Sequence, residues 1–121
     1  MPAGGACLTM SFHGAERVVS SYNLMGPVKA ALEAATRELA SELGPKGIRV
    51  NVLSPGPMAT RAAGGIADFD EMMREAIERA PMRRLATIED VGEAAVFLAS
   101  DLARHITGET LHIDAGLHIM G

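Results

Sequence analysis

At 121 residues the chain fits one domain with a modest core, and its 48% hydrophobic and 21% charged residues are those of a globular protein. A net charge of −4 with acids and bases interspersed, no tryptophan and 3% aromatic residues argue against nucleic acid as a partner. No run approaches the ~18 apolar residues of a membrane helix, the first residues lack the basic start of a signal peptide, and the single Cys7 cannot form an internal disulfide, which points to a reducing cytoplasm.

Residues 6–12 form a short, mostly apolar run after a glycine pair and predict a buried strand, with Cys7 in the core. A loop at 13–17 follows, and Ser20 and Ser21 are candidate helix caps. From Val28 onward, Val28, Ala31, Leu32, Ala35, Leu39 and Leu43 keep helical spacing and predict the buried stripe of a helix. Gly44-Pro45-Lys46-Gly47 ends it, because glycine caps a C-terminus and proline cannot continue a helix. Its start is less direct. Pro27 is comfortable as a first helical residue, which leaves Tyr22 in the lead-in; a helix running back through Tyr22 meets Pro27 past its first turn and distorts there. We expect helix through Tyr22 with local distortion. On such a helix Tyr22 and Lys29, seven residues apart, lie about 20° apart around the axis and roughly 10 Å along it. A phenol and an ammonium on one face can serve one bound molecule as acid and cation. An ordinary amphipathic helix with a solvated lysine gives the same spacing.

Residues 48–53 are β-branched and apolar, a second strand that runs into the rigid turn Ser54-Pro55-Gly56-Pro57. In open parallel sheets, ligands bind outside such carboxyl ends. Residues 58–66 are rich in alanine and glycine; residues 69–80 predict an amphipathic helix bearing Met72, Met73 and Ile77 and stopped by Pro81. That stretch reads either as a lid over an apolar substrate or as a surface helix on its own core. Thr87-Ile88-Glu89-Asp90 has the form of a capping box. It opens a helix with Val91, Ala94, Ala95, Leu98 and Leu102 on one face, ending near Thr107-Gly108, before a last strand at 109–114. The order is α/β and parallel, but three strands are few for a sheet covered on both faces, and no glycine-rich phosphate fingerprint follows a first strand.

The chain from about Gly4 to Gly121 resembles the C-terminal half of a short-chain dehydrogenase/reductase, and within that superfamily the bacterial enoyl-acyl-carrier-protein reductases. Commoner members carry Tyr-x3-Lys, which would place a tyrosine at position 25, where this chain has Met25. The spacing Tyr22-x6-Lys29 marks the divergent enoyl reductases, and the runs at 13–17, 22–23, 29–34, 44–51, 87–92 and 118–121 match that group in order. The resemblance implies a partial domain over residues 1–121: three strands and crossover helices from a Rossmann-like, doubly wound parallel sheet, with the N-terminal nucleotide-binding half absent. It implies NADH or NADPH as cofactor, an enoyl substrate on acyl carrier protein, no membrane, and a homo-oligomer, tetrameric in relatives. Tyr22 would stabilise the enolate oxygen and Lys29 would hold the nicotinamide ribose. Met58, Ala59, Thr60, Arg61 and Ala62 would border the nicotinamide and pyrophosphate, and 58–81 would be the substrate-binding lid. Phe12, Tyr22 and Met25 would line the substrate pocket.

Two departures stand out. Relatives commonly have a tyrosine where this chain has Phe12, so a polar role at that position is lost. The strands that bind adenine and pyrophosphate in relatives have no counterpart here, so the chain reads as a truncated product or a fragment, and a non-catalytic remnant that pairs with another chain is the competing function. A ketoacyl-type dehydrogenase is the neighbouring one, disfavoured by the tyrosine–lysine spacing. His13, His105, His112 and His118 are read as scattered and no metal is expected. Ser11 lacks a Gly-x-Ser-x-Gly elbow, and Asp114 is read as ending a strand.

Overall fold

The structure, a computed structural model, describes residues 4–19, 22–58 and 69–121. Three parallel strands, β1 (Gly5–Met10), β2 (Ile48–Pro55) and β3 (Thr110–Ile113), lie in the order β1-β2-β3. The register pairs Gly5 with Ile48 through Met10 with Leu53, and Val52 with Thr110 through Pro55 with Ile113. Helix α1 (Met25–Leu43) connects β1 to β2, and α2 (Phe69–Arg79) and α3 (Ile88–Ala99) precede β3. Among the described residues no helix is long and apolar enough to cross a membrane.

The central strand carries the core. Leu53 packs with Val91 and Leu98 of α3 and with Ala103. Val50 and Val52, of opposite parity on the strand, are buried on the other face, and α1 packs against β2. Two polar side chains of β2 are bonded inside. Asn51, fully buried, donates through Nδ2 to Ile106 O at 2.9 Å and accepts from Glu109 N at 3.0 Å, pinning the approach to β3. Arg49 donates to Leu98 O and Ser100 O, satisfying the end of α3. β1, expected to be buried, is an edge strand whose Ala6, Cys7, Leu8 and Thr9 are half-buried, because only β2 flanks it.

Three expectations about the helices need correction. α1 begins at Met25, not at Tyr22: Asn23 takes φ 54°, which breaks any helix there, and residues 22–24 form a turn. Pro27 is then the third helical residue, where an N–H would have no partner in the helix, so it causes no loss. At the other end the run 44–47 ends the helix as expected: α1 stops at Leu43, a 3-10 turn spans Gly44–Lys46, and Gly47, at φ 72°, is left-handed. α3 stops at Ala99 rather than near residue 107, since Ser100 is extended and opens a 3-10 turn over Asp101–Ala103; Leu102 is 76% exposed, and Ala103 takes the core position. Most telling is the phase of α1. Its buried residues are Gly26, Glu33, Thr36 and Ala40. The expected apolar stripe is rotated off this face: Val28, at 53%, Ala31, Ala35 and Leu39, at 46%, are exposed, while Leu32 and Leu43 stay half-buried.

Candidate active site

Tyr22 and Lys29 reach the carboxyl end of β1 from different elements. Tyr22 sits in the turn before α1 and is 9% exposed. Its ring lies over the 3-10 turn His13–Ala15, so close that a Cβ on Gly14 would fall 2.4 Å from Cδ2. The Phe12 ring meets it edge-on at 5.2 Å and 65°. Burial pushes the Tyr22 phenol above its usual 10.0, so it is a proton donor throughout the neutral range. Lys29, one turn into α1 and half-buried, donates from Nζ to Met10 O at 3.1 Å. The two therefore meet through residues 10–12, not through one helical face.

The other expected residues divide. Phe12 is half-buried between Tyr22 and His13. Met25, the first residue of α1, is 44% exposed. Met58, just past β2, packs against the core cluster of Leu53, Val91 and Leu98. Ala59, Thr60, Arg61 and Ala62, with Ser20 and Ser21, lie outside the described residues.

A shallow cleft beside Tyr22 is lined by Gly14, Gly26, Pro27 and Ala30 and continues to Arg17, Val18 and Val19. The same three residues border a second cavity, roofed by Met72 and Ala76 of α2 and floored by Leu117 and Met120. α2 itself docks through Ala76 and Ala80 on Leu117. Arg17 closes one side by donating to His118 O at 2.9 Å.

Reading the sequence missed two clusters. Ser11, 5% exposed, donates its hydroxyl to Glu33 Oε2, and Glu33 is 7% exposed. The histidines are also not scattered: His112, His118 and His13 gather around Asp114. Asp114 is 6% exposed and accepts from the N–H groups of Gly116 at 3.0 Å and His118 at 2.9 Å and from His118 Nδ1 at 2.9 Å. His112 stacks on His118 at 3.8 Å and 8°, with its Nε2 4.0 Å from Glu16. His13 is pulled below 6.5, first by burial; Asp114 opposes this, and Arg17, Arg79 and His112 reinforce it. The signal was there in His-x-Asp-x3-His, since strand alternation puts 112 beside 114, and a 3-10 turn brings 118 back. Donor atoms of His112, Asp114 and His118 lie within 4.8 Å of one another. Lone pairs of imidazole lie in the ring plane, and these planes are almost parallel. As arranged, the two stacked rings do not aim their lone pairs at one point; Asp114 and His118 are hydrogen-bonded at the end of β3, while the Nδ1 atoms of His13 and His112 are buried without a partner among the described residues.

A family model described as enoyl-(acyl carrier protein) reductase matches residues 1–118. The enoyl-(acyl-carrier-protein) reductase (NADH) FabI of Bacillus cereus is 54% identical over 121 residues, covering 100% of this chain and 47% of the relative. Among solved structures, the Bacillus cereus enoyl-acyl carrier protein reductase with NADP+ and indole naphthyridinone aligns with a TM-score of 0.96 at 55% identity, over 100% of this chain and 47% of that one. The Anaplasma phagocytophilum reductase in complex with NAD aligns at 0.92 and 47% identity, over 100% of this chain and 44% of that one. The chain spans just under half the length of the relatives it matches.

Proposed function

The chain belongs to the enoyl-(acyl carrier protein) reductase family, and from that premise we propose that it carries the proton-donating and acyl-binding part of an NAD(P)H-dependent site that reduces trans-2-enoyl thioesters on acyl carrier protein. The observation that carries this reading is that the buried Tyr22 ring, against Phe12 and Gly14, and the Lys29 ammonium, on Met10 O, are both held at the carboxyl end of β1. The dihydronicotinamide, when bound, would supply the hydride that adds to the β-carbon of the substrate, and a proton from the Tyr22 hydroxyl, or from water through it, would complete the reduction at the α-carbon. Tyr22 donates a hydrogen bond to the thioester oxygen as it becomes an enolate, from a pocket whose burial strengthens that bond. Lys29 uses one of its three N–H groups on Met10 O and offers the others to a ribose hydroxyl, while its charge faces the developing anion. Such a donor set suits a nicotinamide nucleotide. Thr60 and the main chain of 58–62 remain the proposed contacts to carboxamide and pyrophosphate.

The acyl chain is assigned to the path from the Tyr22 cleft past Arg17, Val18 and Val19 into the cavity under α2. α2 suits a wall over that path, because Met72 and Ala76 border the cavity while Ala76 and Ala80 dock on Leu117. A second copy of the chain is the proposed cover for the outward apolar stripe of α1, where Leu24, Val28 and Leu39 are exposed.

The test is enoyl-thioester-dependent oxidation of NADH by the protein at the length its source cell makes it, followed by absorbance at the nicotinamide band. Tyr22→Phe keeps the ring and removes the donor; it is expected to lower turnover about 10²–10³-fold. Reduction of a ketoacyl thioester in preference to an enoyl one, or full activity in the phenylalanine variant, would refute the assignment.

A further inference from the structure

Because Tyr22 and Lys29 do not share a helix, helix geometry does not set their relative placement. Both are fixed to three consecutive residues at the end of β1. Lys29 Nζ bonds Met10 O at 3.1 Å, and the Tyr22 ring rests edge-on against Phe12 at 5.2 Å. The residue between, Ser11, is held twice: its N–H donates to Leu53 O at 2.8 Å and its hydroxyl donates to Glu33 Oε2. Glu33 lies one turn past Lys29 on the inward stripe of α1 and is 7% exposed.

A carboxylate drawn out of water is unfavourable unless it is bonded, and an apolar side chain would fill the same space without that penalty. Glu33 is also not there to neutralise Lys29. Among the described residues the ion pairs are His112 with Glu16 and His118 with Asp114. Glu33 instead accepts from a hydroxyl, on the residue that links the Lys29 anchor to the Tyr22 wall. The proposed reduction makes no use of Glu33, since neither substrate oxygen nor ribose is assigned to it.

We infer that Glu33 is a positioning residue: by gripping Ser11 it locks the Met10 carbonyl and the Phe12 ring, and through them Lys29 and Tyr22, into one frame. This role rests on the assignment of Tyr22 and Lys29 as the reactive pair, so its test is chosen to stand apart from turnover.

The chain has one tyrosine and no tryptophan, so ultraviolet absorbance of tyrosinate reports Tyr22 alone. In the 121-residue chain, Glu33→Ala removes the acceptor, and the Tyr22 titration is expected to move down toward its ordinary range as the ring loosens. Glu33→Gln keeps an oxygen that accepts from Ser11 and is expected to leave the titration in place. Ser11→Ala deletes one oxygen and the same hydrogen bond. It is expected to act like Glu33→Ala, and the double variant to add nothing to either. Thr36→Ala is the control for general loosening, since Thr36 is 3% exposed on the same stripe and bonds Leu32 O in its own helix. Far-ultraviolet circular dichroism shows which variants are folded; where Glu33→Ala is not, Ser11→Ala carries the same expectation.

A titration unmoved in both alanine variants, or moved as far in Thr36→Ala, overturns the inference. So does a Glu33→Gln variant that behaves like Glu33→Ala. In the source-length protein, Glu33→Ala is further expected to lower kcat/KM about tenfold, with Glu33→Gln rescuing it. If the wild type reduces no enoyl thioester, the functional assignment fails by itself, and the Tyr22 titration still decides the role of Glu33.

Discussion

Helices α1 and α3 begin in opposite ways, and the contrast separates what stabilises this fold from what shapes its site. α3 starts on a local device. Thr87 Oγ1 accepts from Asp90 N at 3.1 Å, Asp90 Oδ2 accepts from Thr87 N at 2.8 Å, and both residues are exposed. α1 starts with Leu24 at its cap position and no side-chain bond to the first turn. Its start is defined by distant residues: Gly26 lies under Gly14 O, Tyr22 over Gly14, and Lys29 over Met10. Four consecutive residues complete the first start. The second exists only when the end of β1 is in place, which is what allows it to hold a phenol and an ammonium in register with the sheet.

The sharpest way to break this contrast is Gly14→Ala. The added Cβ would sit 2.4 Å from Cδ2 and 2.5 Å from Cε2 of Tyr22, so the buried ring must shift to admit it. We expect a loss of about 2 kcal/mol in stability from overpacking, roughly 8 °C in Tm, by calorimetry. The Tyr22 titration should fall toward its ordinary range as the ring is displaced. Preserved stability with Tyr22 still titrating high would mean that the α1 start does not depend on Gly14.

The same contrast explains what could be read in the sequence. Thr87-Ile88-Glu89-Asp90 announces α3 because every partner of the cap lies within four residues. The strands, their parallel order and the body of α1 are legible for a similar reason: β-branched runs and helical period are local. The phase of α1 is not. Period alone places Val28, Ala31, Ala35 and Leu39 inward, whereas the site draws Gly26, Lys29, Glu33 and Thr36 inward instead. A glutamate in an alanine-rich helix looks solvated until Ser11 is seen beneath it. Asn23 looks like an ordinary helical residue until its positive φ is seen. Tyr22 and Lys29 stand out in the sequence by a spacing of two helical turns and by the family pattern, whereas the structure brings each to the end of β1 from a separate element.

A smaller effect is expected on the other side. Thr87→Ala removes a local cap and should cost about 1 kcal/mol, read as a lower denaturant midpoint with an unchanged slope. Tyr22 should titrate as in the wild type, because nothing at the start of α3 supports it. A Thr87→Ala variant that shifted Tyr22 would show that the two starts are coupled through the sheet.

The finest separation comes from pH, because the two starts depend on it with opposite sign. Asp90 is held below its ordinary 3.8, first by the Thr87 N–H and then by the Thr87 hydroxyl. A depressed carboxyl means the unfolded chain binds the proton more readily. The stability Asp90 contributes is therefore present above 3.8 and lost as pH falls toward its folded value. Tyr22 is the reverse. Burial raises its phenol above 10.0, so the folded state keeps the proton longer; its contribution is complete below 10.0 and lost as pH rises through the folded value. Stability followed against pH should accordingly fall in acid through the α3 start and in alkali through the α1 start. Thr87→Ala, which removes the hydroxyl but keeps the N–H, should soften the acid limb alone, and Gly14→Ala should flatten the alkaline limb alone. If either substitution flattened both limbs, the division between a locally capped helix and one held by the site would not hold.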